Sequence, residues 1–166
     1  SDVCSSDLYR SHSEEETFRL GTAFAERLRT QDVVMFFGDL GAGKTEFIKG
    51  ISHYFNVEEI VSSPTFTVMN QYTGETPEND EITIYHVDLY RIKSEEELDE
   101  IGFRDCMYSE DTIKLVEWSE NAGNLIPDIR WTVHISFDAD NENDRVIVIN
   151  HIGEETPQYP SLEATV

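Results

Sequence analysis

Residues 33–45 read Val-Val-Met-Phe-Phe-Gly-Asp-Leu-Gly-Ala-Gly-Lys-Thr, and this stretch decides the fold. Its first part, Val33–Phe37, is a continuous apolar run of strand length, as expected of a strand buried on both faces. A glycine-rich segment follows at once, and residues 44–55 then repeat apolar side chains at helical spacing. A strand, a glycine-rich loop and a helix in that order predict a loop that wraps a phosphate group.

The glycine-rich segment matches the pattern G-x-x-x-x-G-K-[S/T], in which each fixed position has a mechanical reason. Gly38 and Gly43 allow backbone angles that turn successive amide N–H groups inward around phosphate oxygens. Lys44 would reach the β- and γ-phosphates, and the Thr45 hydroxyl would ligate magnesium. The predicted nucleotide-binding residues of this loop are Gly38, Asp39, Leu40, Gly41, Ala42, Gly43, Lys44 and Thr45.

Two acidic residues follow predicted strands, at the position where α/β sheets place their ligands. Asp88 follows the alternating segment 81–87, and Glu117 follows the apolar segment 113–116. Both are candidate magnesium ligands, and either could orient an attacking water. Trp118 could stack on a base or could be part of the core. The sequence has no Asn/Thr-Lys-x-Asp stretch for guanine, which favours ATP as the nucleotide.

The pattern over the rest of the chain predicts the other elements of the fold. A helix over residues 14–28 begins with a capping box of Ser13 and Glu16, and Ser94 opens a further helix. The predicted strands cover residues 57–61, 66–72, 81–87, 113–116, 131–137 and 145–149. This order indicates a P-loop NTPase-like three-layer α/β sandwich with a mixed, largely parallel sheet and a C-terminal β-hairpin.

The length and the patterning divide the chain into three parts. Its 166 residues suit one domain, because two would each have a thin core. We expect a disordered or non-native extension over residues 1–10, a single P-loop ATPase domain over 11–152, and a frayed tail over 153–166. There is no run of 18 apolar residues and no signal-peptide pattern, so a cytoplasmic protein without a membrane anchor is expected.

The charge balance restricts the partners. The chain has 34 acidic and 12 basic residues, a net charge of -22. Such a field repels nucleic-acid phosphates and disfavours direct binding to DNA or RNA. Two interpretations of the acidity stay open, a solubilising surface and adaptation to high ionic strength.

Five segments together resemble the TsaE family, formerly called YjeE, and their order and spacing extend over about residues 14–137. The loop at 38–45 is shared with many proteins. The other four segments are Ser-Pro-Thr-Phe-Thr at 63–67, His-Val-Asp-Leu-Tyr-Arg at 86–91, Glu-Glu-Leu at 96–98 with Gly102, and Val-Glu-Trp at 116–118. The combination of Ser-Pro-Thr-Phe, His-x-Asp-x-Tyr-Arg and Glu-Trp is specific. Ser119 stands where the family often has proline, and the turn at 73–80 is somewhat long.

The resemblance implies an ATP- and magnesium-dependent component of the bacterial machinery that makes N6-threonylcarbamoyladenosine in tRNA. It implies a weak, partner-stimulated ATPase that binds the heterodimer of TsaD and TsaB and meets tRNA only through that complex. It also implies a role for each matching residue: Lys44 for the phosphates, Thr45 and Glu117 for magnesium, Trp118 for adenine, Thr65 in a switch loop near the γ-phosphate, and Asp88 as a Walker-B-like carboxylate.

Three other functions are alternatives to an ATPase. A scaffold that binds ATP without needing to hydrolyse it is the main non-enzyme alternative. A P-loop small-molecule kinase usually has an arginine-rich lid over its acceptor, whereas the segment after Asp88 is acidic. A signalling GTPase is disfavoured by the missing guanine motif.

Overall fold

The computed structural model describes residues 6–64, 67–153 and 159–163. Its strands are β1 Ser6–Ser11, β2 Val33–Phe37, β3 Met69–Glu75, β4 Glu81–Asp88, β5 Thr112–Glu117, β6 Arg130–Phe137 and β7 Arg145–Ile152. Its helices are α1 Glu14–Ala25, α2 Lys44–Tyr54, α3 Glu95–Glu100 and α4 Phe103–Met107, and 3₁₀ turns with a kink at Gly123 occupy Ser119–Leu125. No helix within these ranges is long and apolar enough to span a membrane.

The strands form one seven-stranded sheet in the order β1-β7-β6-β2-β5-β4-β3. The four inner strands β6, β2, β5 and β4 are parallel to one another. The pairs β3–β4, β6–β7 and β1–β7 are antiparallel. The predicted mixed sheet with a parallel centre and a C-terminal hairpin is therefore confirmed. The carboxyl ends of the parallel strands meet at one edge, where α2 begins.

Hydrophobic cores on both faces of the sheet produce the three layers. Helices α1 and α2 cover one face, with Phe24 and Phe47 in the core beneath them. Helices α3 and α4 cover the other face, with Phe103 in its core. Because successive strand residues point to opposite faces, Val34 belongs to the first core and Val33 to the second. This double burial explains why β2 is apolar at every position.

Helices α1 and α2 approach closely because glycines lie at their contact. A Cβ on Gly50 would overlap the carbonyl oxygen of Phe18. The Thr22 hydroxyl donates to the carbonyl oxygen of Gly50 at 3.0 Å across the same contact. The contact fixes the height of α2 above the sheet and, with it, the position of the loop that precedes α2.

The predicted helix starts at Ser13 and Ser94 are both present. Ser13 Oγ accepts from the N–H of Glu16 at 3.0 Å, and Ser94 Oγ accepts from the N–H of Glu97 at 3.3 Å. The capping box is modified, because the Glu16 carboxylate accepts from the N–H of His12, at 2.6 Å, one residue before the cap.

Residues 6–10 belong to strand β1, so disorder, one of the two alternatives predicted over residues 1–10, is wrong for that part; residues 1–5 lie outside the described residues. Strand β1 pairs with β7 from Ser6 opposite Asn150 to Ser11 opposite Arg145. The carboxylate of Asp7 also forms a 3.0 Å ion pair with Arg27 of the segment after α1. This strand is polar and depends on a partner at the far end of the sequence.

The tail predicted over residues 153–166 is not frayed where the structure describes it at 159–163. Arg27 donates to the carbonyl oxygen of Pro160 at 2.8 Å, and the N–H of Leu162 donates to the hydroxyl of Tyr9 at 3.2 Å. These bonds hold residues 159–163 against α1 and β1. Residues 154–158 and 164–166 lie outside the described residues.

Three smaller differences concern local elements. The predicted strand over 57–61 is irregular chain, and the N–H of Val57 donates at 3.1 Å to the carbonyl oxygen of Ser52 near the end of α2. The strand expected from residue 66 begins at Met69; residue 66 lies outside the described part, and residues 67 and 68 form a turn and a bend before the strand. Helix α4 was not predicted from the sequence.

Candidate functional site

The glycine-rich loop connects the end of β2 to the start of α2. Gly38 has φ of 151°, and a Cβ there would overlap the carbonyl oxygen of Ile135 on β6. Only glycine fits at this position. The Gly43 N-cap has φ of 114°, and the N–H groups of the first turn of α2, from Lys44 onward, have no acceptor within the helix. The loop therefore presents backbone donors and the positive end of a helix dipole at one place.

Lys44 supplies the positive charge of the site. Its side chain is 7% exposed, and Nζ donates to the carbonyl oxygen of Gly38 at 2.6 Å. The same Nζ lies 3.5 Å from Oε1 of Glu117 and 5.3 Å from the centroid of the Trp118 ring. The ammonium is thus held between the loop and the end of β5.

Glu117 and Asp88 lie opposite each other at the ends of β5 and β4. Burial disfavours ionisation of Glu117, but the hydrogen bond from His86 and the charge of Lys44 outweigh it, so its pKa is lowered. Burial raises the pKa of Asp88 above its ordinary value. Asp88 Oδ1 accepts from the N–H of Tyr90 at 2.9 Å, which lowers that pKa but does not offset the burial. The two carboxyl groups are neighbours in different electrostatic environments.

His86 is a site residue that was not predicted from the sequence. Its side chain is fully buried, and Nε2 lies 2.8 Å from Oε2 of Glu117. It stands two residues before Asp88, and residues two apart on a strand face the same side. That spacing is the sequence signal that could have placed His86 beside the two acids.

A cavity of about 610 Å³ opens in front of the loop. Trp118 adopts a left-handed backbone conformation with φ of 57°, and its ring lies 4.8 Å from that of Tyr90. The cavity is lined by Glu14, Asp39, Leu40, Gly41, Gly43, Lys44, Thr45, Glu46, Ser63, Asp88, Tyr90, Glu117 and Trp118.

The structure brings together most of the predicted site residues. Of the loop, Gly38 and Ala42 do not line the cavity; Gly38 lies against β6, and Ala42 is completely buried. Asp88, Glu117 and Trp118 lie with the other loop residues around the cavity. Thr65 lies outside the described residues, although its neighbour Ser63 lines the cavity.

A larger cavity, of about 820 Å³, lies near the end of α1 and the β3–β4 turn. Its lining includes the acids Glu26, Glu78, Asp80, Glu81 and Asp111 and a single arginine, Arg29. It has neither the glycine-rich loop nor the start of α2. The smaller cavity is therefore the candidate site, because its donors converge on one anion position.

The donor set around the smaller cavity fits a magnesium-bound nucleotide. Among the described residues, no group of three or more His, Cys, Asp or Glu side chains could hold a metal alone. Magnesium is commonly bound through one or two carboxylates together with substrate phosphates. Thr45, Asp88 and Glu117 supply protein oxygens beside a loop that presents N–H donors, so metal and phosphates would bind together.

The glycine-rich loop, the parallel centre of the sheet and the acids at its carboxyl edge define a P-loop α/β protein. The model of the family described as "Threonylcarbamoyl adenosine biosynthesis protein TsaE" matches residues 11–147. The chain therefore belongs to the TsaE family.

Individual relatives give the same result. The tRNA threonylcarbamoyladenosine biosynthesis protein TsaE of Rickettsia conorii is 38% identical over 159 residues, which cover 93% of this chain and 84% of the relative. The protein of the same name from Treponema pallidum is 34% identical over 134 residues, covering 81% and 94%. A crystal structure of Bacillus subtilis YdiB has a TM-score of 0.72 and 27% identity, over 92% of this chain and 90% of that one.

Proposed function

We propose that this protein binds Mg-ATP in the 610 Å³ cavity and hydrolyses it to support threonylcarbamoyladenosine biosynthesis in tRNA. The observation that carries the proposal is the position of Lys44. Its buried ammonium lies between the Gly38 carbonyl and the Glu117 carboxylate, at the start of a helix and in front of a cavity. The pathway is supported by the family match over residues 11–147 and by the names of the relatives.

Each residue of the site has a role in this proposal. The loop N–H groups and Lys44 bind the phosphates, and Trp118 lies beside the adenine. Thr45, Asp88 and Glu117 hold the magnesium ion. Bound magnesium would neutralise charge that develops on the phosphates during transfer. Thr65 would move with its loop toward the γ-phosphate.

We expect the isolated protein to be a slow ATPase, because the described lining of the cavity contains Lys44 and no arginine. In related chemistry an arginine from a partner raises the rate by about 10³ to 10⁵. A heterodimer of TsaD and TsaB is the proposed partner, and it would complete or order the site. The net charge of -22 supports contact with tRNA only through that complex, which would act in the cytoplasm.

Calorimetric titration with Mg-ATP tests the nucleotide site. Lys44→Ala should weaken binding about 10- to 100-fold, because a charge-assisted hydrogen bond contributes about 1.5–3 kcal/mol. Lys49→Ala is the matched control, since Lys49 lies on the same helix, is partly exposed and pairs with Glu46 at 3.3 Å. Equal affinities for wild type and Lys44→Ala, or no saturable binding by wild type, would refute the site.

A second experiment separates an ATPase from a scaffold that only binds ATP. The absence of arginine from the described lining of the cavity is also what a non-hydrolytic scaffold would show. Glu117→Gln and Asp88→Asn should abolish multiple-turnover tRNA modification by the reconstituted complex. Full modification by variants that bind ATP without hydrolysing it would instead identify a scaffold. Transfer of labelled phosphate to a small molecule, and not to water, would identify a kinase.

A further inference from the structure

Three buried side chains in contact with one another connect the candidate site to the core: Lys44, Glu117 and His86. His86 lies 2.8 Å from one carboxylate oxygen of Glu117, and Lys44 lies 3.5 Å from the other. The exposed fractions of the His86, Glu117 and Lys44 side chains are 0%, 6% and 7%. The carboxylate is therefore held from both sides, by the buried imidazole of His86 and by the ammonium of Lys44.

Strand register explains why His86 reaches Glu117. Strands β4 and β5 are parallel, with Asp88 opposite Glu117 and His86 opposite Leu115. His86 and Glu117 are diagonal neighbours on the face that α1 and α2 cover, a distance that a long side chain can bridge. The Ile84 side chain, two residues earlier on the same face, is wholly apolar core.

The position of the imidazole proton follows from the acceptors around the ring. Nδ1 of His86 is buried and has no hydrogen-bond partner in the part of the chain that the structure describes. A neutral imidazole has one donor nitrogen and one acceptor nitrogen. A proton on Nδ1 would be a buried donor without an acceptor, and it would leave Nε2 as an acceptor facing a carboxylate. The proton therefore belongs on Nε2, where it is donated to Glu117.

We propose that His86 is a positioning residue, which donates its Nε2–H to Oε2 of Glu117 and so keeps Oε1 turned toward Lys44 and the cavity. This inference rests on the proposed function, in which Glu117 is a magnesium ligand. His86 itself does not line the cavity and would contact neither metal nor nucleotide. It would act only through the orientation of Glu117, as a residue behind a metal ligand commonly does.

The inference is tested with two substitutions at His86 and one matched control. His86→Gln keeps an N–H donor near the position of Nε2, whereas His86→Leu keeps bulk and removes the donor. Ile84→Val perturbs the same face of β4 without a polar change. The readouts are the Mg²⁺ concentration that half-saturates nucleotide binding, the affinity for ADP in EDTA, and the midpoint of thermal unfolding.

We expect His86→Leu to require about 10- to 100-fold more Mg²⁺, the usual effect of losing a partner behind a metal ligand. His86→Gln should recover most of this loss, Ile84→Val should match wild type, and binding of ADP in EDTA should be the same in all. A wild-type Mg²⁺ requirement in His86→Leu would overturn the inference. A His86→Gln protein as impaired as His86→Leu would also overturn it.

Nitrogen NMR of the wild-type histidines gives a test that does not depend on folding of the leucine variant. The His86 signal, identified by its loss in His86→Gln, should show a proton on Nε2 and a bare Nδ1. A proton on Nδ1 would overturn the inference while leaving the nucleotide site untouched. Failure of wild type to bind Mg-ATP at all would instead refute the proposed function.

Discussion

At the scale of single residues, two neighbouring acids with the same side-chain chemistry have pKa values shifted in opposite directions. Glu117 has a buried histidine and a buried lysine within 3.5 Å of its carboxylate, and its pKa is lowered. Asp88 is opposite Glu117 on the adjacent strand, and burial raises its pKa. Ionisation of Glu117 is therefore favoured in the folded protein, whereas ionisation of Asp88 is disfavoured and a nearby cation would ease it.

Asp88→Asn should make the folded protein more stable at pH 7. The raised pKa means that ionised Asp88 destabilises the folded state at pH values above that pKa. This effect is absent once the carboxyl group is protonated, so the gain should shrink as the pH falls toward the ordinary value of 3.8. An amide oxygen can still accept from the N–H of Tyr90. Urea unfolding at about pH 7 and about pH 4 measures the difference.

The exposed Asp99 of α3 provides the control for that measurement, since Asp99→Asn should change stability by less than about 0.5 kcal/mol. A loss of stability at pH 7 in Asp88→Asn would contradict the expectation. If Asp88 also holds magnesium, the same variant should be more stable and less active. Active sites often show such a conflict between stability and activity.

At the scale of secondary-structure elements, the C-terminal hairpin supports the glycine-rich loop. Arg145, at the start of β7, donates from Nε to the carbonyl oxygen of Ala42 at 3.0 Å. Its guanidinium carbon lies 4.2 Å from the centroid of the Phe137 ring and is thereby held over the end of β6. The hairpin thus contacts the middle of a loop that is more than a hundred residues away in sequence.

Arg145→Gln should weaken Mg-ATP binding about 2- to 10-fold, which corresponds to one hydrogen bond worth about 0.5–1.5 kcal/mol. The loop would lose an anchor, although every group that touches the nucleotide would remain. Arg10→Gln is the control, because Arg10 pairs with Asp138 of the same hairpin and does not contact the loop. Calorimetry on both variants measures the effect, and equal affinities would show that the hairpin does not hold the loop.

The α1–α2 contact leads to a prediction about stability. Gly50→Ala should destabilise the protein by about 1–3 kcal/mol, because the new methyl group would overlap the Phe18 carbonyl oxygen and push the helices apart. Helix propensity alone predicts the opposite, a gain of about 1 kcal/mol. Urea unfolding decides between these signs. Lys49→Ala, at a partly exposed position of the same helix, should stay within about 0.5 kcal/mol of wild type because it loses only a surface ion pair.

At the scale of the whole molecule, burial removes basic and acidic charge from the surface in similar amounts. The chain has four lysines, and two of them are buried: Lys44 in the site and Lys114 in β5. The Lys114 ammonium donates to the Ser109 carbonyl oxygen at 3.0 Å, and burial lowers its pKa. Asp88 and Glu117 are buried as well, so the acid excess at the surface is close to that of the composition.

Salt should stabilise the folded protein, because the net charge of -22 makes the compact state repel itself and mobile ions screen that repulsion. We expect the midpoint of thermal unfolding to be higher in about 1 M KCl than in about 0.1 M KCl, where the screening lengths are about 3 and 10 Å. Sucrose is the control for effects of solute exclusion that do not depend on charge. If the midpoint rises no more in KCl than in sucrose, the acidity serves solubility and not adaptation to high ionic strength.

Local sequence determined the centre of this protein. The apolar run of β2, the glycines of the loop and the amphipathic pattern of α2 specify their conformation within about twenty residues, and Ser13 and Ser94 cap their helices from adjacent positions. Asp88 and Glu117 could be predicted as a pair because parallel strands end at one edge of a sheet. These features depend on backbone sterics and on periodicity, which a short segment carries by itself.

Only the tertiary structure decided the rest. Polar β1 is a strand because β7 supplies its hydrogen bonds. Residues 57–61 are irregular chain, and the N–H of Val57 is bonded to Ser52 of α2 instead of to a neighbouring strand. The link from His86 to Glu117 and the raised pKa of Asp88 depend on strand register and on burial. Segments distant in sequence create those conditions, so the spacing of His86 and Asp88 could indicate a shared face of β4 but not the contact with Glu117 or the shift in pKa.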